Sequence, residues 1–358
     1  QNDLPQILAD SKNKLEQLNA IFQFVKSKVK WNGEFGKYTD VGVKKAYAEG
    51  VGNVAEINLM LISMLRKAGL NSNPVLISTR NHGISLFPTS KGFNYVIAAV
   101  ELNDQLFLLD ATEEYSSPNV LPIRDINWRG RMIKGDNTSD WVNLIPAKPS
   151  EENTIMQITI DEEGIIEGMQ RSNYKDAYAL NYRNKFSKLK EQTIIEKVEG
   201  ESDDIEIDHF KIINKDNIYK PIVEMFKFSS EDLIDVIGDK MYFKPLFFDA
   251  ITENPFKLEK RGYPIDFEVP TGAKNMISIS IPDGYSVEFL PESIAVALPN
   301  NYGFYKFNIS VSENKISVYS SFIMNTVIYP IEYYPEIKEF YKTLVNKNLE
   351  QVVLKKEL

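Results

Sequence analysis

Cysteine is absent from the 358 residues, and its absence excludes disulfides, thiolate metal sites and a thiol nucleophile together. Histidine is almost as scarce. His82 and His209 are the only two, and they fall in stretches that read as different domains, so no histidine–cysteine set for zinc is expected. The composition implies no cofactor. Nowhere is there a run of about eighteen apolar residues of the kind that spans a bilayer. Gln1, Asn2 and Asp3 carry neither an initiator methionine nor a signal-peptide pattern, and the chain reads as trimmed from a longer precursor. Basic side chains are outnumbered 41 to 50, for a formal charge of −9. That charge repels polyanions and argues against nucleic acid as a partner.

What is present is the material of a soluble globular protein, with 43% hydrophobic, 11% aromatic and 25% charged residues. The length exceeds what one hydrophobic core supports, so two or three domains are expected. Between Asp10 and Val29, residues Leu15, Leu18, Ile21, Phe22, Val25 and Val29 share a helical face, with Ser11 as the expected N-cap. A short helix is expected over Val41 to Ala48. Turn chemistry in Gly50-Val51-Gly52-Asn53 then precedes Val54 to Gly69, a mostly buried helix. Asn53 is positioned to cap it, Arg66 and Lys67 complement its dipole, and Gly69 ends it.

Strands are expected at Pro74 to Thr79, Phe93 to Leu102 and Gln105 to Asp110, the last two joined through Asn103-Asp104. Helices on an antiparallel sheet make this an α+β domain covering residues 1–147, with Thr112 to Ser150 as a looser wrapping. Alternating segments then give a mainly β middle domain over 148–262, with strands at 154–160, 165–174, 205–213, 222–228 and 241–246 and one helix from Asp176 to Lys190. Six strand-like segments after Tyr263 suggest a β-sandwich domain over 263–358. It ends in a helix opened by Tyr334-Pro335 whose apolar stripe is Ile337, Phe340, Tyr341, Leu344 and Val345.

A glycine turn, a helix and a hairpin in this order resembles the arrangement in which papain-like and transglutaminase-like enzymes set a thiol at the helix N-terminus, a His on one strand and an Asp on the next. The segments Gly52-Asn53-Val54-Ala55-Glu56-Ile57-Asn58, Leu65-Arg66-Lys67-Ala68-Gly69 and Pro74-Val75-Leu76-Ile77-Ser78-Thr79-Arg80 resemble the bacterial transglutaminase-like superfamily. Phe93-Asn94-Tyr95-Val96-Ile97 and Leu108-Leu109-Asp110-Ala111-Thr112 continue the resemblance. Asn254-Pro255-Phe256-Lys257-Leu258 with Tyr263-Pro264-Ile265-Asp266-Phe267 looks like the uncharacterised β domain that follows this core in multidomain, exported bacterial proteins.

The resemblance implies a papain-like or transglutaminase-like core and a periplasmic or cell-envelope location. It also implies a further β-rich domain ahead of the core. It places the family's cysteine at Val54, its histidine at Tyr95 and its aspartate at Asp110. Valine offers no nucleophile, and a phenol of pKa near ~10 is no general base at neutral pH. The implied function is therefore a non-catalytic protein that binds or scaffolds a polypeptide or cell-envelope component, its cleft lined by Trp31, Asn53, Tyr95, His82 and Asp110.

Alternatives stay open. A hydrolase, peptidase or acyl transferase could use Asp110, His82 and a hydroxyl such as Ser78 or Ser85, although no nucleophile elbow is present. The β domains could carry the function as protein- or carbohydrate-binding modules. Trp31 with Tyr38 and Tyr47 lines a groove or belongs to the core. His209, among Asp203, Asp204, Glu206 and Asp208, reads as part of a solvent-facing acidic strand or as a weak calcium site. Glu199 to Asp208 reads as a solvated turn or strand face, and Tyr333, Tyr334, Phe340 and Tyr341 as a contact between domains.

Overall fold

The computed structural model describes residues 3–202 and 205–357; Gln1, Asn2, Asp203 and Asp204, named above, lie outside them. Two compact units divide the chain, Gln1–Ala147 and Lys148–Leu358. In the first, α1 (Lys14–Lys28), α2 (Val43–Glu49) and α3 (Val54–Lys67) accompany a five-stranded sheet. Its strands are β1 (Asn71–Ile77), β2 (Tyr95–Leu102), β3 (Gln105–Leu109), β4 (Arg129–Ile133) and β5 (Ser139–Asn143), in the order β3-β2-β1-β4-β5.

Helix α3 buries nine of its residues and sits in one apolar cluster with Leu18, Ile21, Phe22 and Val25 of α1 and Ala98 and Val100 of β2. Two sequence expectations change here. Asn13, not Ser11, caps α1, its side chain accepting from Glu16 N at 2.9 Å. The wrapping expected over Thr112 to Ser150 contains β4 and β5, which extend the sheet beyond β1. Gly130 lets β4 approach: a Cβ there would lie 2.5 Å from Val75 Cγ1, a distance that real side chains do not tolerate.

The second unit does not divide at 262. It contains β6 (Ser150–Ile160), β7 (Ile166–Tyr174), α4 (Ala177–Phe186), α5 (Glu191–Ser202), β8 (Glu206–Ile213), β9 (Ile222–Ser230), β10 (Asp235–Ile237) and β11 (Lys240–Phe243). These are followed by β12 (Thr271–Ser280), β13 (Tyr285–Phe289), β14 (Ile294–Ala297), β15 (Gly303–Ser312), β16 (Lys315–Met324), α6 (Tyr334–Leu349) and β17 (Val352–Lys356).

An eight-stranded sheet runs β8-β9-β7-β6-β12-β16-β15-β14, and a four-stranded one β10-β11-β17-β13. Each therefore draws strands from both of the stretches expected to be separate domains. The seam is the parallel pairing of β6 with β12, from Ser150 against Thr271 to Thr159 against Ser280. One core follows, joining Met156, Ile158 and Phe226 to Ile279, Phe307, Phe340 and Leu354. Tyr334, Phe340 and Tyr341 of α6 are buried in that core, so they are core residues and not a contact between domains.

Helix α5 is a second departure. The acidic stretch from Glu199 is its last turn, and the strand starts only at Glu206. Ile194 is the one buried residue of α5, with Ile195 and Val198 packed part-buried against the core, so its apolar face is three residues set in a polar, acidic stretch.

Candidate functional site

The head of α3 is built from a reciprocal cap. Glu56 N donates to Asn53 Oδ1 at 3.0 Å, and Asn53 N donates to Glu56 Oε2 at 2.8 Å, which satisfies backbone donors that a helix start leaves without partners. The other Glu56 oxygen accepts from the backbone N–H groups of Asp40, Val41 and Gly42 at 2.9, 2.7 and 2.9 Å. Burial pushes the Glu56 carboxyl upward, but these donors outweigh it and hold the group below the usual carboxylate range.

Val54 opens the helix and is fully buried. Its N–H donates to Glu34 O at 3.3 Å, and the Trp31 indole N–H donates to the same carbonyl at 3.0 Å. The next residue, Phe35, stacks on Trp31 with ring centroids 5.6 Å apart and meets Tyr95 edge-on at 5.5 Å. The segment Glu34-Phe35 thus links the head of α3 to Tyr95. Phe35, and neither Tyr38 nor Tyr47, is the ring that joins Trp31. Tyr38 is largely exposed, while Tyr47 packs near Phe24 and bonds Asp3.

Tyr95, at the start of β2, and Asp110, just past β3, are both buried and directly bonded, the phenol donating to Asp110 Oδ2 at 2.9 Å. Asp110 Oδ1 accepts from Asn58 Nδ2 at 2.9 Å and from Thr112 N at 3.0 Å. Arg124 closes the network: its Nη2 lies 3.1 Å from Asp110 Oδ2 and its Nη1 3.2 Å from Glu113. Its Nε reaches the Tyr95 hydroxyl at 3.3 Å, and its guanidinium covers Trp31 at 4.9 Å from the ring centroid.

Burial raises the Asp110 carboxyl, but Arg124, Asn58 and Thr112 more than compensate, so it is held below its ordinary value as a carboxylate. Burial, then the charges of Asp110 and Asp125, push the Tyr95 phenol well up, so it keeps its proton. Asp125 is buried beside them, its Oδ1 4.0 Å from Arg124 Nε, and among the described residues neither of its oxygens accepts a hydrogen bond. Burial, then the charge of Asp110, drive Asp125 far above the carboxylate range. The shift favours its protonated form beside Asp110. The cluster joins a carboxylate, a guanidinium, a phenol and a threonine hydroxyl in one hydrogen-bonded set, without a thiol or an imidazole among them.

The structure brings Tyr95 and Asp110 together and ties Val54 to them through Glu34-Phe35. It brings Trp31 to them as well, under Arg124, but not His82, Ser78 or Ser85. His82 Nε2 is bonded to Lys91 O at 3.1 Å, Ser78 Oγ to Gly83 O at 2.7 Å and Ser85 Oγ to Phe87 O at 2.8 Å. Among the described residues, none of these three makes a hydrogen bond to Asp110. His209 is exposed and paired with Asp208, and no group of three metal-ligating side chains suited to an ion is found among the described residues.

Arg124, Asn58 and Thr112 were not singled out from the sequence. A trace of Asn58 was there, since a polar residue four positions after Val54 lies on the same face of a buried helix. A cavity of about 760 Å³ in this unit, lined by Val43, Tyr47, Met60 and Met64, includes none of Val54, Tyr95 and Asp110.

Residues 4–108 match the transglutaminase-like superfamily, and residues 239–354 match a domain of unknown function, DUF3858, that has a solved structure. No curated protein matches the chain. Among solved structures, it is similar to a "putative protease" from Parabacteroides distasonis ATCC 8503. The TM-score is 0.56 at 11% identity, over 99% of this chain and 54% of that one. The chain thus spans about half the length of that neighbour, and at such identity the likeness is one of fold.

Proposed function

We propose that this chain, which has a transglutaminase-like core over residues 4–108 and a DUF3858 domain over 239–354, is a non-catalytic member of its kind. In this reading it binds or scaffolds a polypeptide or cell-envelope component, and it works in the periplasm or at the envelope, the location implied by the resemblance to multidomain exported proteins. The observation that carries the reading is the closed Tyr95–Asp110–Arg124 network in a protein without cysteine. An Asp that orients a catalytic imidazole offers one of its oxygens to the ring N–H. Asp110 instead spends both on a phenol, an amide, a threonine and a guanidinium.

Exposed apolar side chains support a binding role. Phe35, Ile84, Leu86 and Phe87 all face solvent. Lys37 ties the segment that bears Phe35 to the loop that bears the others, through Phe93 O at 2.7 Å and through Ser90 O. A segment of polypeptide is the kind of partner such side chains can hold.

The test is incubation of the purified chain with amine donors and glutamine-bearing peptides, and separately with protease substrates. No turnover is expected above that of a Tyr95→Phe, Asp110→Asn control. Turnover that survives stringent purification and disappears in that control would overturn the reading.

A further inference from the structure

The second unit contains a cavity of about 380 Å³ between α4, α5 and the faces of β6, β7 and β9, lined by Glu152, Gln170, Tyr174, Tyr182, Glu224 and Asp249 among others. Its interior is rich in acceptors, with the Lys185–Glu201 pair at its rim. Three carboxyls point into a space walled by aromatic rings, with Tyr174 and Tyr182 at 5.1 Å and Tyr182 and Phe186 at 4.7 Å between centroids. Glu224 is satisfied by the Tyr182 hydroxyl and, at 3.4 Å, by that of Tyr174. The remaining acceptors are not. Asp249 Oδ2 is buried without a hydrogen-bond partner. Gln170 is 6% exposed, and its Oε1 has no partner while its Nε2 donates to Ser172. Buried acceptors left open in this way cost free energy that a donor entering the cavity would recover.

The rim already displays the complementary group. The ammonium of Lys185 lies 4.7 Å over the Phe186 ring and 2.5 Å from Glu201 Oε1, both partners exposed. Open acceptors, carboxyls and ring faces are together the recognition elements for an organic cation. The three carboxyls do not form a metal site, since among the described residues no group of three metal-ligating side chains is placed to hold an ion. The aromatic walls favour a cation carried on a hydrocarbon stem.

We propose that this cavity is a binding site for a primary ammonium or guanidinium group on a short aliphatic stem, presented by a small free amine or by a basic side chain of a polypeptide. The ammonium donates to Asp249, Glu152 and Gln170, and the stem lies against Tyr174, Tyr182 and Phe186. The proposal does not depend on the state of the first unit. Burial, then the neighbouring Glu152, raise Asp249 to about 7, and burial with Glu224 raises Glu152 to about 6; Glu224 is raised as well, chiefly by burial. Around them, Tyr174, Tyr178 and Tyr182 are kept protonated by burial, and the Lys185–Glu201 pair stands at the rim. An entering cation favours the ionised carboxyls, so it releases protons and binds more tightly as pH rises from 5.5 to 8.

The experiment is calorimetric titration of the full chain with 1,5-diaminopentane, with 1,5-pentanediol as the uncharged counterpart and with a lysine-bearing peptide. It is run at pH 5.5 and pH 8 in two buffers of different ionisation heat. The expected results are binding of a cation at least about tenfold tighter than the diol, proton release, and about tenfold or greater loss in the Asp249→Asn, Glu152→Gln double variant. Lys185→Met, which removes the competing ammonium at the rim without touching the core, is expected to tighten binding.

Preference for diamine over peptide assigns the cation to a free amine, and the reverse to a polypeptide; either supports the site. Equal binding of diol and diamine, binding of neither cation, or a Lys185→Met variant that binds no more tightly than the parent would overturn it. None of these outcomes bears on turnover by the first unit, so failure here and failure of the non-catalytic reading are separate results.

Discussion

The Tyr95 hydroxyl and the Arg124 guanidinium converge on one oxygen of Asp110, at 2.9 and 3.1 Å. Arg124 is about a quarter exposed and Asp110 not at all, so the arginine is the means by which a buried carboxylate remains charged. Removing one partner of such a pair leaves the other uncompensated, at a cost of about 3–5 kcal/mol. Arg124→Met is therefore expected to destabilise the first unit by that amount. Arg124→Met with Asp110→Asn should lose clearly less than the two single changes added together. Trp31, Trp128 and Trp141 are the only tryptophans and all lie in this unit, so urea unfolding followed by tryptophan fluorescence reports it selectively.

The same pair fixes an acid limit. Asp110 has a folded pKa below its unfolded value, so its contribution is fully present above the unfolded pKa of roughly 4 and is lost as pH falls through the folded one. The tryptophan-monitored midpoint should fall below about pH 4, and the fall should be shallower in the Asp110→Asn, Arg124→Met variant. An equally steep fall in that variant would assign the acid sensitivity to other groups.

Glu56 accepts four backbone N–H groups, whereas Asn53 caps with one side-chain oxygen. Asn53→Ala should cost about 1 kcal/mol, the usual loss of an N-cap. Glu56→Ala strips partners from donors on the 40–42 segment as well as from the cap, and should cost several times as much. Equal losses would mean that water takes over at Asp40, Val41 and Gly42.

A cysteine placed at the head of α3 tests whether the cleft is open. Val54 has no exposed surface and its N–H is covered by Glu34, while Leu86 is 65% exposed. The thiol of Val54→Cys should react with iodoacetamide at least about a hundredfold more slowly than that of Leu86→Cys, because access is needed as well as thiolate. Comparable rates would show that the 34–35 segment swings away.

In the second unit the sign of pH dependence reverses. Asp249 at about 7 and Glu152 at about 6 are raised above their unfolded values. Their contribution is complete below roughly pH 4 and is lost as pH rises through 6 and 7. Asp249→Asn should therefore raise the melting temperature at pH 8 relative to the parent and change it little at pH 4. One proton corresponds to a slope of about 1.4 kcal/mol per pH unit where it is steepest. Differential scanning calorimetry at the two pH values checks this.

Local chemistry announced what is local. Helix α3 was legible because Asn53 caps it and Gly69, at φ 75°, ends it, and the β2–β3 hairpin because Asn103 and Asp104 both accept positive φ. Tyr95 and Asp110 were legible through the motif resemblance. Arg124 was not, because it lies in a 3-10 turn at Ile123–Asp125 in a proline- and asparagine-rich stretch, and only the folded chain brings it to Asp110. Strand β4, Arg129-Gly130-Arg131-Met132-Ile133, lacks alternation, and its glycine reads as a breaker until Val75 is seen against it. The union of the two presumed β domains had no local signature at all, since each strand of the β6–β12 pair alternates as it would in any sheet.

That parallel seam has a consequence for how the protein is made. Strand β6 leaves the ribosome early and must wait for β12, more than a hundred residues later. Until residue 280 emerges, the nascent hairpin of β6 and β7 presents a bare flank, the kind of edge that recruits foreign strands. Expression of residues 148–262 alone would freeze the chain at that stage, and the expected product is an insoluble fragment, not a domain.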